Sequence, residues 1–235
     1  MCGRYYRRSD KQKIAEAFHL GQLPEGFVLP PWDYNVAPIT HQPVIRHTKE
    51  IGERELVMMR WGLVPHFAKS LADFKGFSTI NAQAESLTSK AVWRIPFQRR
   101  RCLVPADGFY EWKKLDAKTR QPYTFSMATG EPFAFAGLWD AWKDPTGNWL
   151  QSYSIITTMP NELTAEVHDR MPVILKPADY TRWLTREPGS TDGMGHGDLP
   201  IDLLSPFDAD KMKAAPANQG VGNVRNNGPE MLESV

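Results

Sequence analysis

Short segments rich in β-branched and aromatic residues recur along this chain, separated by turn-forming residues, and they restrict it to a strand-dominated fold. Between Trp142 and Trp149, the run Asp144-Pro145-Thr146-Gly147-Asn148 predicts a hairpin turn. The pattern as a whole predicts strands at residues 43–47, 54–61, 101–104, 108–113, 122–128, 133–139, 149–157 and 172–175.

Helical patterns are few and scattered. Ser9 opens a stretch with the spacing of a capping box, followed by apolar residues at helical intervals. A second helix is predicted to open at Pro177, with Tyr180 and Trp183 on one face. Many strands with few helices predict a compact α+β domain over residues 1–235, β-rich with mostly antiparallel strands and a few flanking helices, rather than alternating βαβ units.

Size and composition set the broad class. With 235 residues, of which 41% are hydrophobic, the chain is long enough to bury the core of one large domain. The opening segment lacks an apolar signal region, and no apolar run approaches the roughly 18 residues of a membrane span. We therefore expect a soluble intracellular protein.

The formal net charge of +1 provides no global field that would attract nucleic acid, so any DNA surface must be a local patch. Arg94 with Arg99-Arg100-Arg101 is the best candidate, and a solvated helix end explains the same run.

The chain has two cysteines, for which we predict different roles. Cys102 lies in an apolar run and is predicted to be a small core residue, although a single disulfide with Cys2 is possible in principle. Cys2 directly follows Met1, and removal of Met1 would leave an α-amine and a thiol on neighbouring carbons. These groups titrate at roughly 7.7–8.0 and about 8.5 in model compounds, so both are near a reactive protonation state. Such a 1,2-aminothiol can capture an aldehyde, first as an imine and then as a five-membered thiazolidine.

Three polar residues lie in otherwise apolar surroundings, and each has two interpretations. Glu111 is flanked by aromatic residues, which favours a raised pKa and proton transfer, but a surface pair with Lys113 explains it equally well. His168 lies in a loop position typical of function, or is simply bonded to Asp169 or to the backbone. Asn81 supplies neutral donors and acceptors for a reaction centre, or caps a helix.

Other motifs are weaker or missing. The segments 34–38 and 61–67 combine Gly or Pro with aromatic residues and are candidates for stacking bases, although core packing is the commoner use. The glycine-rich stretch 187–200 contains a GxGxG string, but no strand is predicted before it, so it has little weight as a phosphate loop. The sequence has no GxSxG elbow, P-loop, HExxH motif or zinc spacing.

Taken together and in this order, the motifs resemble the SRAP family, the SOS-response-associated peptidases. The strings that carry the resemblance span nearly the whole chain: MCGR at 1–4, YNVAP at 34–38, WGLVP at 61–65, INAQAE at 80–85, RRRCLVPADGFYEWKK at 99–114, ITTMPN at 156–161, VHDRMPVIL at 167–175 and GNVRNNGPEML at 222–232. The YEWK and HDRMP strings are the most specific of these.

The resemblance implies a sensor of abasic sites in single-stranded DNA, which crosslinks itself to the ring-opened sugar as a thiazolidine. Cys2 would be the nucleophile, first through its amine and then through its thiol. Glu111 would move protons during ring opening and during slow reversal of the adduct. His168 would support the imine stage, and Asn81 would hydrogen-bond the cysteine or the opened sugar.

The resemblance also implies how DNA is held. Arg4 and Arg170 would bind flanking phosphates. The remaining expected DNA contacts are Asn35, His66, Phe67 and Gln83. No cofactor, metal or membrane is expected, and the protein would be a cytoplasmic monomer, associated with the nucleoid if bacterial.

Two departures from the family pattern concern DNA binding. Gln83 stands where members usually carry an arginine that touches phosphate, so DNA affinity and its salt dependence should be lower. Phe67 stands in an aromatic loop that commonly continues with Trp. Two other functions stay open: a cysteine peptidase, at minimum removing its own Met1 with His168 as base, and a non-covalent single-strand binder.

Overall fold

Two β-sheets packed against each other organise the chain, and the strands and helices that build them are short. The computed structural model describes residues 2–21, 23, 26–48, 53–74, 79–185 and 199–233. The strands are β1 (Arg4–Arg7), β2 (Asp33–Val36), β3 (His41–His47), β4 (Arg54–Trp61), β5 (Asn81–Gln83), β6 (Arg101–Ala106), β7 (Gly108–Lys114), β8 (Arg120–Met127), β9 (Phe133–Lys143), β10 (Trp149–Thr158), β11 (Met171–Pro172), β12 (Ile174–Leu175) and β13 (Met212–Pro216). The α-helices are α1 (Lys11–Ala17), α2 (Ala91–Arg99), α3 (Glu162–Ala165) and α4 (Tyr180–Leu184), with single 3₁₀ turns between several elements.

The first sheet is antiparallel throughout, with the strand order β13-β8-β7-β1-β2. In the second sheet, β10, β4, β3, β6 and β9 pair in turn, and β9 pairs again with β10, which closes the strands into a barrel-like ring. Among the strands of the described residues, only β4 and β5 run parallel to their neighbour β10. Together with the few helices, this pairing confirms the predicted α+β class with mostly antiparallel strands.

The main core lies between the two sheets. Tyr5 of β1 and Phe109 of β7, which are cross-strand partners, pack edge-on against Phe135 of β9. A second cluster lies under the helices and includes Phe97 and Trp183. Side chains alternate along β7: Phe109 and Glu111 point into the sheet interface, while Tyr110 and Trp112 join a third cluster on the outer face.

The predicted strands are all present, with small differences at their ends; the predicted 172–175 strand is divided into β11 and β12. The hairpin turn is confirmed, since Asp144 Oδ1 accepts bonds from the amides of Thr146 and Asn148. Pro177 opens a 3₁₀ turn that leads into α4, where Tyr180 and Trp183 are buried as expected.

Two expectations need correction, and one alternative that the sequence left open is excluded. The N-cap of α1 is Asp10, not Ser9, because the Ser9 hydroxyl is drawn inward to donate to Asp107. No disulfide forms, since Cys2 and Cys102 are both free thiols, and Cys102 is the buried core residue that was predicted. Arg101 is buried and so cannot belong to a basic surface patch.

The reason for the buried Arg101 is local. Its guanidinium donates to the carbonyl oxygens of Phe97 and Gln98, near the end of α2, and to those of Trp183 and Thr185, at the end of α4. Helix ends leave carbonyl groups without intrahelical partners, and the guanidinium satisfies them.

Nearly all of the glycine-rich stretch 187–200 lies outside the described residues. None of the helices that the structure describes is long and apolar enough to cross a membrane.

Candidate active site

Cys2 lies just before β1, beside the middle of β7, which carries Glu111. The antiparallel register pairs Arg4 with Tyr110 and Tyr6 with Gly108, so the chain preceding Arg4 runs alongside Glu111. The Cys2 side chain is fully buried in the core between the sheets. Burial, and next the negative charge of Glu111, raise the pKa of the Cys2 thiol well above its ordinary range. The thiol is therefore held protonated at neutral pH.

Glu111 is a carboxyl group buried in an apolar layer. Only 3% of the residue is exposed, because the β7 register turns it toward the sheet interface on the same face as Phe109. Burial raises its pKa from an ordinary 4.5 to about 7. A carboxyl group with this pKa is present in both protonation states near neutral pH, as a proton-transfer group must be. Because Glu111 is buried, the alternative of a surface pair with Lys113 is wrong.

His168 faces Glu111 from the loop between α3 and β11. Its Nε2 lies 3.9 Å from Glu111 Oε2. On the other side of the ring, Nδ1 accepts a bond from the Arg170 amide at 3.0 Å and also lies 3.0 Å from Asp169 Oδ1. Burial lowers the pKa of His168, so the imidazole is mostly neutral at pH 7. The interpretation of His168 as a residue bonded to Asp169 or to the backbone is therefore confirmed, and its functional role stays a prediction.

Asn81 begins β5, which is a strand position and not the helix cap that sequence alone allowed. It is paired with Ile155 of β10, and both Ile155 and the adjacent Ile80 belong to the core cluster that contains Cys2. Asn81 Nδ2 donates to the Ile80 carbonyl at 3.2 Å. Its buried Oδ1 has no hydrogen-bond partner among the described residues, and neither does the hydroxyl of Thr157, two residues after Ile155. Two polar atoms are thus held unbonded on one strand pair.

Arg4 and Asn35 are joined to the C-terminal segment of the chain. Arg4 Nη1 donates to Asn35 Oδ1 at 2.6 Å and to the Val221 carbonyl at 2.8 Å. Asn35, which is 3% exposed, donates from Nδ2 to the carbonyl oxygens of Val221, Asn223 and Asn226. These bonds fix the strand that follows Cys2, while contact of either side chain with DNA stays a prediction.

His66 and Phe67 lie together in the aromatic loop, their rings meeting edge to face at 5.3 Å. Phe67 is 52% exposed, which leaves its ring available for stacking. Asp140 of β9 holds this loop in place. Its fully buried carboxylate accepts a hydrogen bond from the His66 amide and lies 3.1 Å from His66 Nδ1. Arg100 pairs with the same carboxylate. Nothing in the sequence indicated that Asp140 would bind this loop.

Gln83 and Arg170 come close through β10. Gln83 is the β5 partner of Thr157, and the Thr157 carbonyl accepts from Arg170 Nη2 at 2.7 Å. Gln83 is exposed, whereas Arg170 has only 14% of its side chain exposed and forms two parallel bonds with Glu85, of 2.7 and 2.9 Å. Sequence reasoning did not single out Glu85, although it ends the INAQAE motif.

The structure thus places the predicted acid–base pair, Glu111 and His168, 3.9 Å apart and brings the Cys2 thiol within electrostatic reach of Glu111. In the same core cluster as Cys2, the hydroxyl groups of Tyr5 and Tyr153 form a hydrogen bond of 2.9 Å. The sequence did not predict this buried pair. In the part of the chain that the structure describes, no three His, Cys, Asp or Glu side chains are grouped as metal ligands. The chemistry available is that of a protonated thiol, a carboxyl group near its pKa and a neutral imidazole.

Comparison with known proteins identifies relatives along the whole chain. YoqW of Bacillus subtilis (strain 168), an abasic site processing protein, is 43% identical over 235 residues, which are 100% of both chains. The abasic site processing protein HMCES of Xenopus tropicalis is 30% identical and aligns with 86% of this chain and 66% of its own.

The fold has been seen before in solved structures. A crystal structure of a protein from Bacteroides thetaiotaomicron matches with a TM-score of 0.84 at 26% identity, covering 100% of both chains. The family model described as SOS response associated peptidase (SRAP) matches residues 1–224. The motifs, the fold and this match agree, and the chain belongs to the SRAP family.

Proposed function

We propose that this protein processes abasic sites in single-stranded DNA by forming a covalent thiazolidine through Cys2 once Met1 has been removed. The observation that carries the proposal is the convergence of the Cys2 thiol with a carboxyl group of pKa about 7 and a neutral histidine. The names of the relatives, abasic site processing proteins, support the same substrate.

The first step is opening of the sugar. An abasic sugar is mainly a closed hemiacetal, so release of its aldehyde needs a proton on the ring oxygen and loss of a proton from the hydroxyl on C1′. Glu111, with a pKa of about 7, holds a transferable proton at neutral pH. Once Glu111 has given its proton to the ring oxygen, its carboxylate can take the proton of the C1′ hydroxyl, while the neutral ring of His168, 3.9 Å away and with Nδ1 occupied by the Arg170 amide, can donate from Nε2 to that carboxylate.

Capture then occurs in two linked nucleophilic steps. The α-amine of Cys2 adds to C1′, and the carbinolamine loses one water molecule to give an imine. The thiol next adds across the C=N bond: a C–S bond forms, and the thiol proton ends on nitrogen. The balance is one aldehyde, one amine and one thiol giving one thiazolidine and one water, with no oxidant or reductant.

The protonation state of Cys2 favours this order over peptidase chemistry. A thiolate nucleophile is activated by a lowered thiol pKa, whereas burial and Glu111 raise that of Cys2. The amine therefore attacks first, and the thiol reacts only after the imine has formed beside it. The exposed Phe67 ring and the exposed Gln83 side chain are two surfaces on which a single strand can lie.

The proposal is tested on a denaturing gel. Protein lacking Met1 is incubated with single-stranded DNA that carries one abasic site, and undamaged DNA is run alongside. We expect a shifted band that needs both the lesion and Cys2. Cys2→Ala should abolish the band, while the matched variant Cys102→Ala, which alters the other buried thiol, should keep it. An equal band with Cys2→Ala would refute the proposal; reversible, lesion-independent binding alone would favour the non-covalent alternative.

A further inference from the structure

Both terminal nitrogens of the Arg170 guanidinium are engaged within the protein, whereas its buried Nε has no hydrogen-bond partner among the described residues. Its two terminal nitrogens hold the two carboxylate oxygens of Glu85 at 2.7 and 2.9 Å, and Nη2 also donates to the Thr157 carbonyl. This fork geometry gives both direction and strength to an arginine–carboxylate pair. Arg170 is the inner member, with 14% of its side chain exposed, and Glu85 is the outer one, with 56% exposed. Residue 170 is therefore held in place from β10 and from the turn after β5.

The main chain of the same residue controls the His168 ring. The Arg170 amide donates to His168 Nδ1 at 3.0 Å, and a nitrogen that accepts a bond carries no proton. The proton of the neutral ring is then on Nε2, the atom 3.9 Å from Glu111. Asp169 competes for the same nitrogen: its Oδ1 is also 3.0 Å from Nδ1, and a carboxylate there favours a proton on Nδ1.

We propose that Glu85 is a positioning residue for His168. By holding the Arg170 guanidinium, it keeps the Arg170 amide on Nδ1 and so keeps the proton of the neutral ring on Nε2, facing Glu111. Without Glu85, residue 170 is less restrained, and Asp169 takes over the Nδ1 side of the ring. The effect on rate rests on the proposed function; the effect on the histidine ring does not.

The direct test is nitrogen NMR of histidine-labelled protein without DNA. The chain has 6 histidines, and a His168→Gln variant assigns the relevant signal. In the wild type we expect the Nε2–H form. Glu85→Ala should shift His168 toward the Nδ1–H form, and Glu85→Gln, which keeps one acceptor, should shift it less. Asp202→Ala is the matched control, because Asp202 forms the same two-bond pair with Arg182 of α4.

Crosslinking rates test the functional consequence. We expect Glu85→Ala to slow capture of an abasic single strand by about tenfold, within the range of coupling between contacting residues. In a His168→Gln background, Glu85→Ala should cause no further loss, because its effect passes through the ring. Any of three results would overturn the inference. The His168 signal could stay unchanged in Glu85→Ala, or it could shift equally in Asp202→Ala. The third result is that the double variant Glu85→Ala/His168→Gln crosslinks more slowly than His168→Gln alone, by the same factor that Glu85→Ala causes in the wild type. A shifted ring in a protein that forms no Cys2-dependent crosslink would support the inference and refute the proposed function instead.

Discussion

Replacing Glu111 by Gln should make the protein more stable and less active. The carboxyl group is buried, and its pKa rises from 4.5 to about 7. Each pKa unit corresponds to about 1.4 kcal/mol, so ionising Glu111 inside the fold costs about 3 kcal/mol relative to the unfolded chain. Gln has nearly the same shape and never ionises, so Glu111→Gln removes this cost.

The gain in stability must depend on pH. Below pH 4.5 the carboxyl group is protonated in both the folded and the unfolded state, and it costs nothing. Between pH 4.5 and about 7 the unfolded chain releases the proton while the folded protein keeps it, so folding stability falls. The full penalty of about 3 kcal/mol applies by pH 8, whereas less than about 1 kcal/mol applies at pH 5.

The assay is thermal unfolding of the wild type and Glu111→Gln at pH 5 and pH 8. For a chain of this size, 1 kcal/mol changes Tm by about 2–4 °C, so we expect a rise of about 6–12 °C at pH 8 and a much smaller one at pH 5. The exposed Glu166 provides the control variant Glu166→Gln, which should change neither value. Crosslinking by Glu111→Gln should fall by roughly 10²-fold, as for loss of a general acid. An equal Tm change at both pH values would refute burial as the cause of the raised pKa.

Three further changes test packing and DNA contact. Trp112→Ala should lower the free energy of unfolding by about 2 kcal/mol, measured by chemical denaturation. This is less than the ~3–5 kcal/mol of a fully buried Trp, because Trp112 is only half-buried. An unchanged denaturation midpoint would contradict its packing in the outer cluster. Gly108→Ala should destabilise the protein by about 1–3 kcal/mol in the same assay, since a Cβ there would lie 2.4 Å from the Tyr6 ring; wild-type stability would contradict that close approach. Gln83→Arg should steepen the dependence of log affinity on log salt concentration by about 0.7, which is the slope that one added phosphate contact contributes on a single strand. If the slope is the same as in the wild type, residue 83 touches no phosphate.

The strands that could be predicted are those with local signals. β3, β4 and β6 to β10 carry β-branched and aromatic runs bounded by turn residues, and these runs are visible without knowledge of the partners. β1 and β2 are four residues each, and β5 has three, so their formation depends on pairing with strands far away in sequence. A helix end was one interpretation of the arginine run 99–101, where α2 does end, but the extent of α2 was not predicted because Pro96 interrupts its pattern.

In the candidate site, too, local features could be predicted from the sequence and long-range contacts could not. The Glu111 environment was visible as a carboxylate between aromatic residues on one strand. Its pairing with His168 depends on a contact between residues far apart in the chain, and the motifs suggested it only through the family resemblance. Glu85 and Asp140 were missed, because a carboxylate in sequence does not reveal which arginine or backbone amide the fold brings to it.

The most direct test of the central claim is the intact mass of the product formed from Met1-free protein and single-stranded DNA with one abasic site. The account predicts a species that equals protein plus DNA minus one water, that is lost in Cys2→Ala, and that borohydride does not change, because a thiazolidine has no C=N bond to reduce. An adduct of the same mass that gains two hydrogens with borohydride would show that capture stops at an imine. A product that forms equally well without Cys2 would contradict the account altogether.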